Sequence, residues 1–368
     1  MAKLKAFLKK EPILVIAALA ALASCILVPP DRAYPGYIDF RTLALLYALM
    51  VVSAGLRQAG ALEATAHLVC RRAGSARALA AVLVALTFFS SMLITNDVAL
   101  LTFVPFAVVL LGMTGRGQDL ILVVVLQTAA ANLGSMLTPV GNPQNLYLYS
   151  HYRLSAGDFF RITAPVWALS LGLTLLGCLA LPRVRLAPDL GEAPRPDKKR
   201  LWLYLGLFAL CLLSVFRLLP WYFLLAILAA VLLIFDRRAL LRADFLLLLT
   251  FVAFFIFAGN LARLEAVEAL LRRLLAGREY LTALITSQVI SNVPAALLLS
   301  GFTENAGELL LGVDVGGLGT PVASLASLIS LKLYSRSPGA KTGKFLLVFL
   351  LVNLLLLALL TGAKLMMK

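Results

Sequence analysis

Asn132-Leu133-Gly134-Ser135-Met136-Leu137-Thr138-Pro139-Val140-Gly141-Asn142-Pro143-Gln144-Asn145 interrupts an otherwise apolar run, Leu120–Tyr149. The two glycines and two prolines break helical hydrogen bonding. A second window of the same kind, Gly312-Val313-Asp314-Val315-Gly316-Gly317-Leu318-Gly319-Thr320-Pro321, interrupts the apolar run Leu309–Leu331. Irregular backbone within apolar spans is tolerated where it is buried in protein or lines a cavity. Carbonyls freed there can hold cations, and half-helix N-termini can face anions.

The whole chain supports a membrane setting for these windows. Of its 368 residues 61% are hydrophobic and 14% are charged. Soluble domains are about 45–50% apolar and about 25% charged, so a soluble enzyme built on one core is excluded, as is disorder. Further apolar stretches of spanning character occur at Pro12–Val28, Thr42–Leu56, Ala78–Met113, Ile162–Leu181, Leu201–Leu219, Trp221–Phe235, Phe245–Leu261, Leu281–Phe302 and Phe345–Leu360. Cys25, Cys70, Cys178 and Cys211 form no C-x-x-C pair and read as small apolar residues. His67 and His151 are too few and too distant for a metal site, and no cofactor is expected.

Ala78–Met113 is flanked by Arg71, Arg72 and Arg77 on one side and Arg116 on the other. A single straight span does not end on the side where it began. The stretch therefore reads as a re-entrant hairpin with its polar tip at Thr95-Asn96-Asp97. Topology then closes with the N-terminus in the cytoplasm and the C-terminus outside. It places 22 of the 33 lysines and arginines in cytoplasmic segments and leaves 11 outside, so the net charge of +15 records insertion. Lys3, Lys5, Lys9 and Lys10 mark the cytoplasmic N-terminus, and 182–200 reads as a cytoplasmic linker.

The halves on either side of that linker resemble each other. Asp39-Phe40 opens a span ending Ala54-Gly55-Leu56, and Asp244-Phe245 opens one ending Ala258-Gly259-Asn260. Leu62-Glu63 and Arg71-Arg72 recur as Leu264-Glu265 and Arg272-Arg273; Ala59–Arg72 and Ala262–Arg273 each have one polar face and read as interfacial helices. Thr95-Asn96 corresponds to Ser291-Asn292. Thr138-Pro139-Val140 recurs as Thr320-Pro321-Val322, each four residues after a glycine, and the same offset pairs Asn132 with Asp314. Matches in one order make a repeat, and the topology inverts the second half against the first. The expected architecture is all-α and polytopic: a first repeat over 1–181 (hairpin 78–113, broken helix 120–150), a linker and extra span over 182–219, and a second repeat over 220–368 (hairpin 280–302, broken helix 306–333). Inverted repeats with broken helices belong to secondary transporters, with substrate bound between the halves.

No lysine or arginine occurs in Ala78–Met113, Leu120–Ser150 or Glu279–Leu331. Asp97 and Asp314 are the acids at the hairpin tip and the second break, and intramembrane acids are functional suspects by default. Two carboxylates without a base fit a bound cation or carboxyls that protonate, hence Na+ or H+ coupling. A capping role for Asp97 and a turn role for Asp314 fit the pattern as well. The expected substrate- and ion-binding set is Thr95, Asn96, Asp97, Asn132, Thr138, Gly141, Asn142, Asn145, Ser291, Asn292, Asp314, Thr320 and Ser324. Of these, Asn96, Asn142 and Asn292 are the candidates for Na+.

These motifs, Thr95-Asn96-Asp97, Leu137–Asn145, Ser291-Asn292-Val293-Pro294 and Gly316–Ser327, resemble the ion transporter superfamily over nearly the whole chain. That group includes arsenite and silicate permeases, citrate transporters and divalent-anion/sodium symporters. The Asn-Asp tip and Thr320–Ser327 look closest to the arsenite permease branch. The dicarboxylate branch typically carries Ser-Asn-Thr at both tips, where this chain has Thr-Asn-Asp and Ser-Asn-Val. The resemblance implies an elevator-type scaffold with a mobile transport domain, and a homodimer formed through that scaffold. The function expected is secondary transport of a small oxyanion, oxyacid or carboxylate across the bacterial inner membrane, with the bilayer and the small anion as partners and no nucleic acid. A Na+/H+ antiporter is the alternative, then a passive channel. An intramembrane enzyme lacks a recognisable nucleophile–base pair.

Overall fold

The computed structural model describes residues 12–71, 73–185, 192 and 194–367. The N-terminal lysines, Arg72 and the middle of the linker, to which cytoplasmic positions were assigned above, lie outside the described residues. Among those described, secondary structure is helical apart from one isolated bridge between Ser75 and Arg185. Among the described residues six helices are long and apolar enough to cross a membrane, or up to seven if a bent pair counts as one span.

The first half begins with α1 (Pro12–Leu27), the short α2 (Tyr34–Tyr37), α3 (Phe40–Gln58) and α4 (Ala61–Cys70). Next come α5 (Ala76–Ile94), α6 (Asn96–Met113), α7 (Leu120–Ser135), α8 (Pro143–His151) and α9 (Ala156–Gly177). The second half holds α10 (Lys198–Val215), α11 (Trp221–Phe235), α12 (Phe245–Leu261) and α13 (Glu265–Leu275). It continues with α14 (Glu279–Ile290), α15 (Asn292–Leu299), α16 (Ala306–Val315), α17 (Leu325–Ser335) and α18 (Thr342–Met366).

The aspartates that open the corresponding spans act alike. Asp39 caps α3 by accepting from the Thr42 N–H, with φ −80° and ψ 86°. Asp244 caps α12 by accepting from the Leu247 N–H, with φ −78° and ψ 89°. Each cap satisfies an N–H that a helix start leaves unpaired. The amphipathic segments are shorter than the sequence pattern suggested, and α13 turns away from α12 by 102°.

Both hairpins form, and each turns on one residue. Thr95 separates α5 from α6 with φ 73° and ψ 149°; Ser291 separates α14 from α15 with φ 76° and ψ 154°. A non-glycine residue at positive φ is uncommon and marks strain. The second hairpin begins at Glu279, and its arms of 12 and 8 residues extend about 18 and 12 Å at 1.5 Å per residue. Neither crosses a core about 30 Å thick. The first hairpin has arms of 19 and 18 residues. Its tip stops where α7 breaks, so α8, nine residues or about 13 Å long, lies beyond it.

The broken helices interlock with the hairpins. Within each half the hairpin's first arm packs on the first piece of the broken helix, α5 on α7 and α14 on α16. The second pieces cross over: α17 packs against α6 and α7, and α8 packs against α15 and α16. Glycine permits the close approach. A Cβ on Gly134 would sit 2.1 Å from the Phe88 carbonyl oxygen, and one on Gly316 would sit 2.9 Å from Ser287 Oγ. Arg242 and Arg200 pair with Asp236 at 2.9 and 3.8 Å, and Arg200 also reaches Gln58.

Candidate functional site

Each hairpin tip is bonded to the break of its own half. The Asn96 N–H donates to the Gly141 carbonyl at 3.1 Å, and the Asn292 N–H donates to the Ala323 carbonyl at 2.9 Å. The threonines of the repeated Thr-Pro-Val run tie the same partners together a second time. Thr138 Oγ1 donates to the Met92 carbonyl, and Thr320 Oγ1 donates to the Gln288 carbonyl at 3.2 Å. In each half the break ends at an N-cap: Asn142 accepts from the Asn145 N–H, and Ser324 accepts from the Ala326 N–H. Four helix N-termini, those of α6, α8, α15 and α17, thus meet around two stretches of unwound chain. N-termini carry partial positive charge and N–H donors.

The halves also reach into each other. Asn132, on α7, donates to the Gly317 carbonyl at 3.3 Å and accepts from Ser324 Oγ at 2.8 Å, both in the second break. It accepts from Asn96 Nδ2 at 3.4 Å as well. Its counterpart Asp314, on α16, crosses the other way. Gln144 Nε2 donates to Asp314 Oδ1 at 3.3 Å. Asn132 and Asp314 are buried, 3% and 2% exposed.

Both acids lie beside the first break. Asp314 approaches it from the protein interior. Asp97, at the start of α6, lines a small cavity of about 40 Å³ with Thr95, Asn142 and Pro143. That space adjoins a cavity of about 810 Å³ that also holds Thr95 and Asp97 and extends to Arg57 and Arg242. Asp97 Oδ1, Asn145 Oδ1 and Asp314 Oδ2 are buried without a hydrogen-bond partner among the described residues. A buried oxygen left unpaired costs about 1–3 kcal/mol, and a proton or small cation relieves that cost. Among the described residues no group of three His, Cys, Asp or Glu side chains is placed to hold a metal.

All the site residues expected from sequence fall at the tips, at the breaks or on the helix just before a break. Thr95, Asn96, Asp97, Thr138, Gly141, Asn142 and Asn145 gather at the first break. Ser291, Asn292, Thr320 and Ser324 gather at the second, and Asn132 and Asp314 bridge the two. The three asparagines named for Na+ divide accordingly, Asn96 and Asn142 at the first break and Asn292 at the second. Several freed carbonyls are already engaged. Asn145 Nδ2 takes those of Met136 and Thr138, at 3.2 and 3.4 Å. Two residues escaped the sequence reading. Gln144 holds Asp314. Gln288 braces the second break, donating to the carbonyls of Gly316 and Leu318 at 2.8 and 3.0 Å and accepting from the Thr320 N–H at 2.9 Å. Each is an amide inside a quoted window or an apolar arm, and such a residue needs partners when buried.

The chain is similar to known membrane proteins and transporters. A family model described as citrate transporter matches residues 6–326. The inner membrane protein YbiR of Escherichia coli (strain K12) is 33% identical over 308 residues, 82% of each chain. An uncharacterized transporter of Methanocaldococcus jannaschii is 31% identical over 312 residues, 84% of this chain and 85% of its own. A silicon efflux transporter of Oryza sativa subsp. japonica is 30% identical over 154 residues, 42% of this chain and 31% of the plant protein. Among solved structures, the Alcanivorax borkumensis YdaH transporter shares the fold, with a TM-score of 0.59 over 90% of this chain and 86% of that one at 18% identity. With most of its length matched by the family model and two relatives covered over four-fifths of theirs, the chain belongs to the citrate transporter family of the ion transporter superfamily and is an integral membrane transporter, not an enzyme.

Proposed function

We propose that this transporter moves a small oxyanion, oxyacid or carboxylate across a bacterial cytoplasmic membrane, coupled to H+ or Na+. The observation that carries the reading is the charge division at the two breaks. Asp97 and Asp314 both flank the first, so the coupling cation binds there, with Asn96, Asn142 and Asn145 as oxygen donors. The second break has Asn132, Asn292, Ser324 and the N-terminus of α17, and the carboxyl of the acid just before it, Asp314, is bonded to Gln144 beside the first break. Such a set of hydroxyl, amide and N–H groups suits the oxygens of the substrate. The relatives' names fit this class: citrate is a carboxylate, and silicon is carried in water as an oxyacid.

The two halves act as inverted repeats. The hairpins and broken helices travel as one body past a scaffold that includes α3 and α12, in an elevator-like movement. The N-terminus is cytoplasmic and the C-terminus is outside, so the cavity lined by Asp97, Arg57 and Arg242 opens inward. Proteoliposomes test this. A Na+ or proton gradient should drive uptake of one anion among citrate, arsenite and silicate, and Asp97→Asn should abolish the gradient's effect. If Asp97→Asn leaves transport and its pH dependence untouched, the coupling role is wrong. If a Na+ gradient moves protons equally well with no anion present, the protein is a Na+/H+ antiporter.

A further inference from the structure

The helix α3 runs between two cavities. Arg57 near its C-terminus lines the one containing Asp97, and Arg41 near its N-terminus lines another of about 800 Å³. The second cavity holds Arg41, Arg153 and Arg217, with Asp39 as the one acid on its wall. Asp39 is already engaged, accepting from the Thr42 N–H at 2.9 Å and from the Thr42 hydroxyl. Guanidinium groups keep their charge at any physiological pH. Three full positive charges therefore face a single carboxylate.

Two of the three are fixed in place. Arg41 donates to Ser150 Oγ and to the Ser214 and Val215 carbonyls at the end of α10. Arg217 donates to the Tyr149 and Arg153 carbonyls at the end of α8 and lies 5.4 Å from the centre of the Tyr149 ring. Helix C-terminal dipoles offset roughly half a charge each, which leaves the cavity positive. The Arg153 guanidinium makes no hydrogen bond or ion pair within the described residues. Its position is informative. Arg153 and Arg217 stand just past the ends of α8 and α10, at φ 51° and 65°, where glycine is the usual residue. A long cationic side chain at both left-handed positions is unfavourable for the backbone and is explained by what the side chains face.

We infer that this cavity is an anion-binding vestibule. It holds a small di- or trivalent carboxylate or oxyanion against Arg153, Arg217 and Arg41, one helix away from the breaks. It goes beyond the central site, because α8 connects the two: Asn145 at its start touches the break, and Tyr147 and His151 line the vestibule. A cavity of one charge sign raises the local concentration of the opposite ion.

The test is arginine footprinting, which needs no transport. Purified protein in phosphatidylcholine nanodiscs is modified with phenylglyoxal, and each arginine is followed by mass spectrometry with citrate or sulfate added at constant ionic strength. Citrate or sulfate should slow modification of Arg153 and Arg217 at least several-fold while leaving Arg32, exposed and outside the cavity, unaffected. Arg153→Gln removes a side chain without bonds, so the protein should fold, and it should weaken the protection of Arg217. Equal slowing at Arg32 and Arg153, or none, overturns the vestibule. Protection that appears only when phosphatidylglycerol is added, and not with citrate or sulfate, assigns the cavity to a lipid headgroup and also overturns it. Protection without any anion transport leaves the vestibule standing and removes the proposed function; transport without protection does the reverse.

Discussion

At the first break the carbonyls of Met136 and Thr138 are taken by Asn145, from the helix that follows. At the second, those of Gly316 and Leu318 are taken by Gln288, from the hairpin arm beside it. The tip-to-break bonds are the same in both halves, and so are the tip dihedrals. The difference lies in what fills in around a shared plan. Asp97 corresponds to Val293 and Asp314 to Asn132, so each half has an acid where the other has none. Because α8 and α17 cross between halves, both acids nevertheless arrive at the first break. One backbone plan thus places both acids beside one break and amides and hydroxyls at the other.

Exchange of the acid for its neutral counterpart is the strongest test of that division. Asp314→Asn should abolish stimulation by the ion gradient. Coupling free energies are typically about 1–3 kcal/mol, or roughly 5–150-fold, so gradient-driven accumulation should fall by about tenfold or more. Asn132→Ala should instead weaken substrate affinity and leave the Na+ and pH dependence as it was. If Asn132→Ala changes ion dependence as strongly as Asp314→Asn, the two breaks share one site and the division is wrong.

Packing comes next in size. A Cβ on Gly134 meets the fixed carbonyl of Phe88 at 2.1 Å, with Ser91 Oγ at 2.6 Å. On Gly316 the nearest atom is the Gly312 carbonyl oxygen at 2.5 Å, and the hairpin contacts are Ser287 Oγ at 2.9 Å and Leu284 Cα at 3.0 Å. Overpacking costs about 1–3 kcal/mol, so Gly134→Ala should lower the melting temperature in detergent more than Gly316→Ala does. Equal or absent losses would mean that the hairpin arm shifts freely, which the interlocked fold does not allow.

Much of this plan is legible in the sequence because its causes are local. Gly, Pro and Asn at fixed spacing unwind a helix whatever surrounds them, and the order Thr-Asn or Ser-Asn, then Thr-Pro-Val, locates the tips and breaks in the two halves. The pairing of Asn132 with Asp314 follows from one constant offset. The exchange of α8 and α17 between halves is not legible, because nothing local records which hairpin a half-helix will pack against. For the same reason Asp314 reads as belonging to the second break, although its partner is Gln144 in the first. Gln288 escapes notice because a lone glutamine in an apolar arm has no motif; its meaning lies in carbonyls that only the folded break presents.

Gln288 gives the next test. Gln288→Ala strands two carbonyls and one N–H, whereas Asn145→Ala strands two carbonyls held at longer range. A net hydrogen bond is worth about 0.5–1.5 kcal/mol, so Gln288→Ala should destabilise the protein by about 1–3 kcal/mol and Asn145→Ala by less. Melting of the two variants at one pH decides it. The reverse order would place the main brace of the fold at the first break.

The smallest effect tests whether the tips are true counterparts. Thr95 and Ser291 hold nearly the same positive φ, a conformation that costs a non-glycine residue about 1–3 kcal/mol. Glycine removes that strain but loses about 0.4–1 kcal/mol through its freer unfolded chain. Thr95→Gly and Ser291→Gly should therefore each raise stability by about 1 kcal/mol or less. Thr95 should gain more, since a β-branched residue is the worse tenant of that region. Ser291 also gives up a weak bond, its hydroxyl donating to the Ala323 carbonyl at 3.4 Å. Melting temperatures that rise at one tip and fall clearly at the other would show that the shared dihedrals conceal different roles. Similar small gains, accompanied by slower transport, would show that both tips keep their strain to fix the N–H that meets the break.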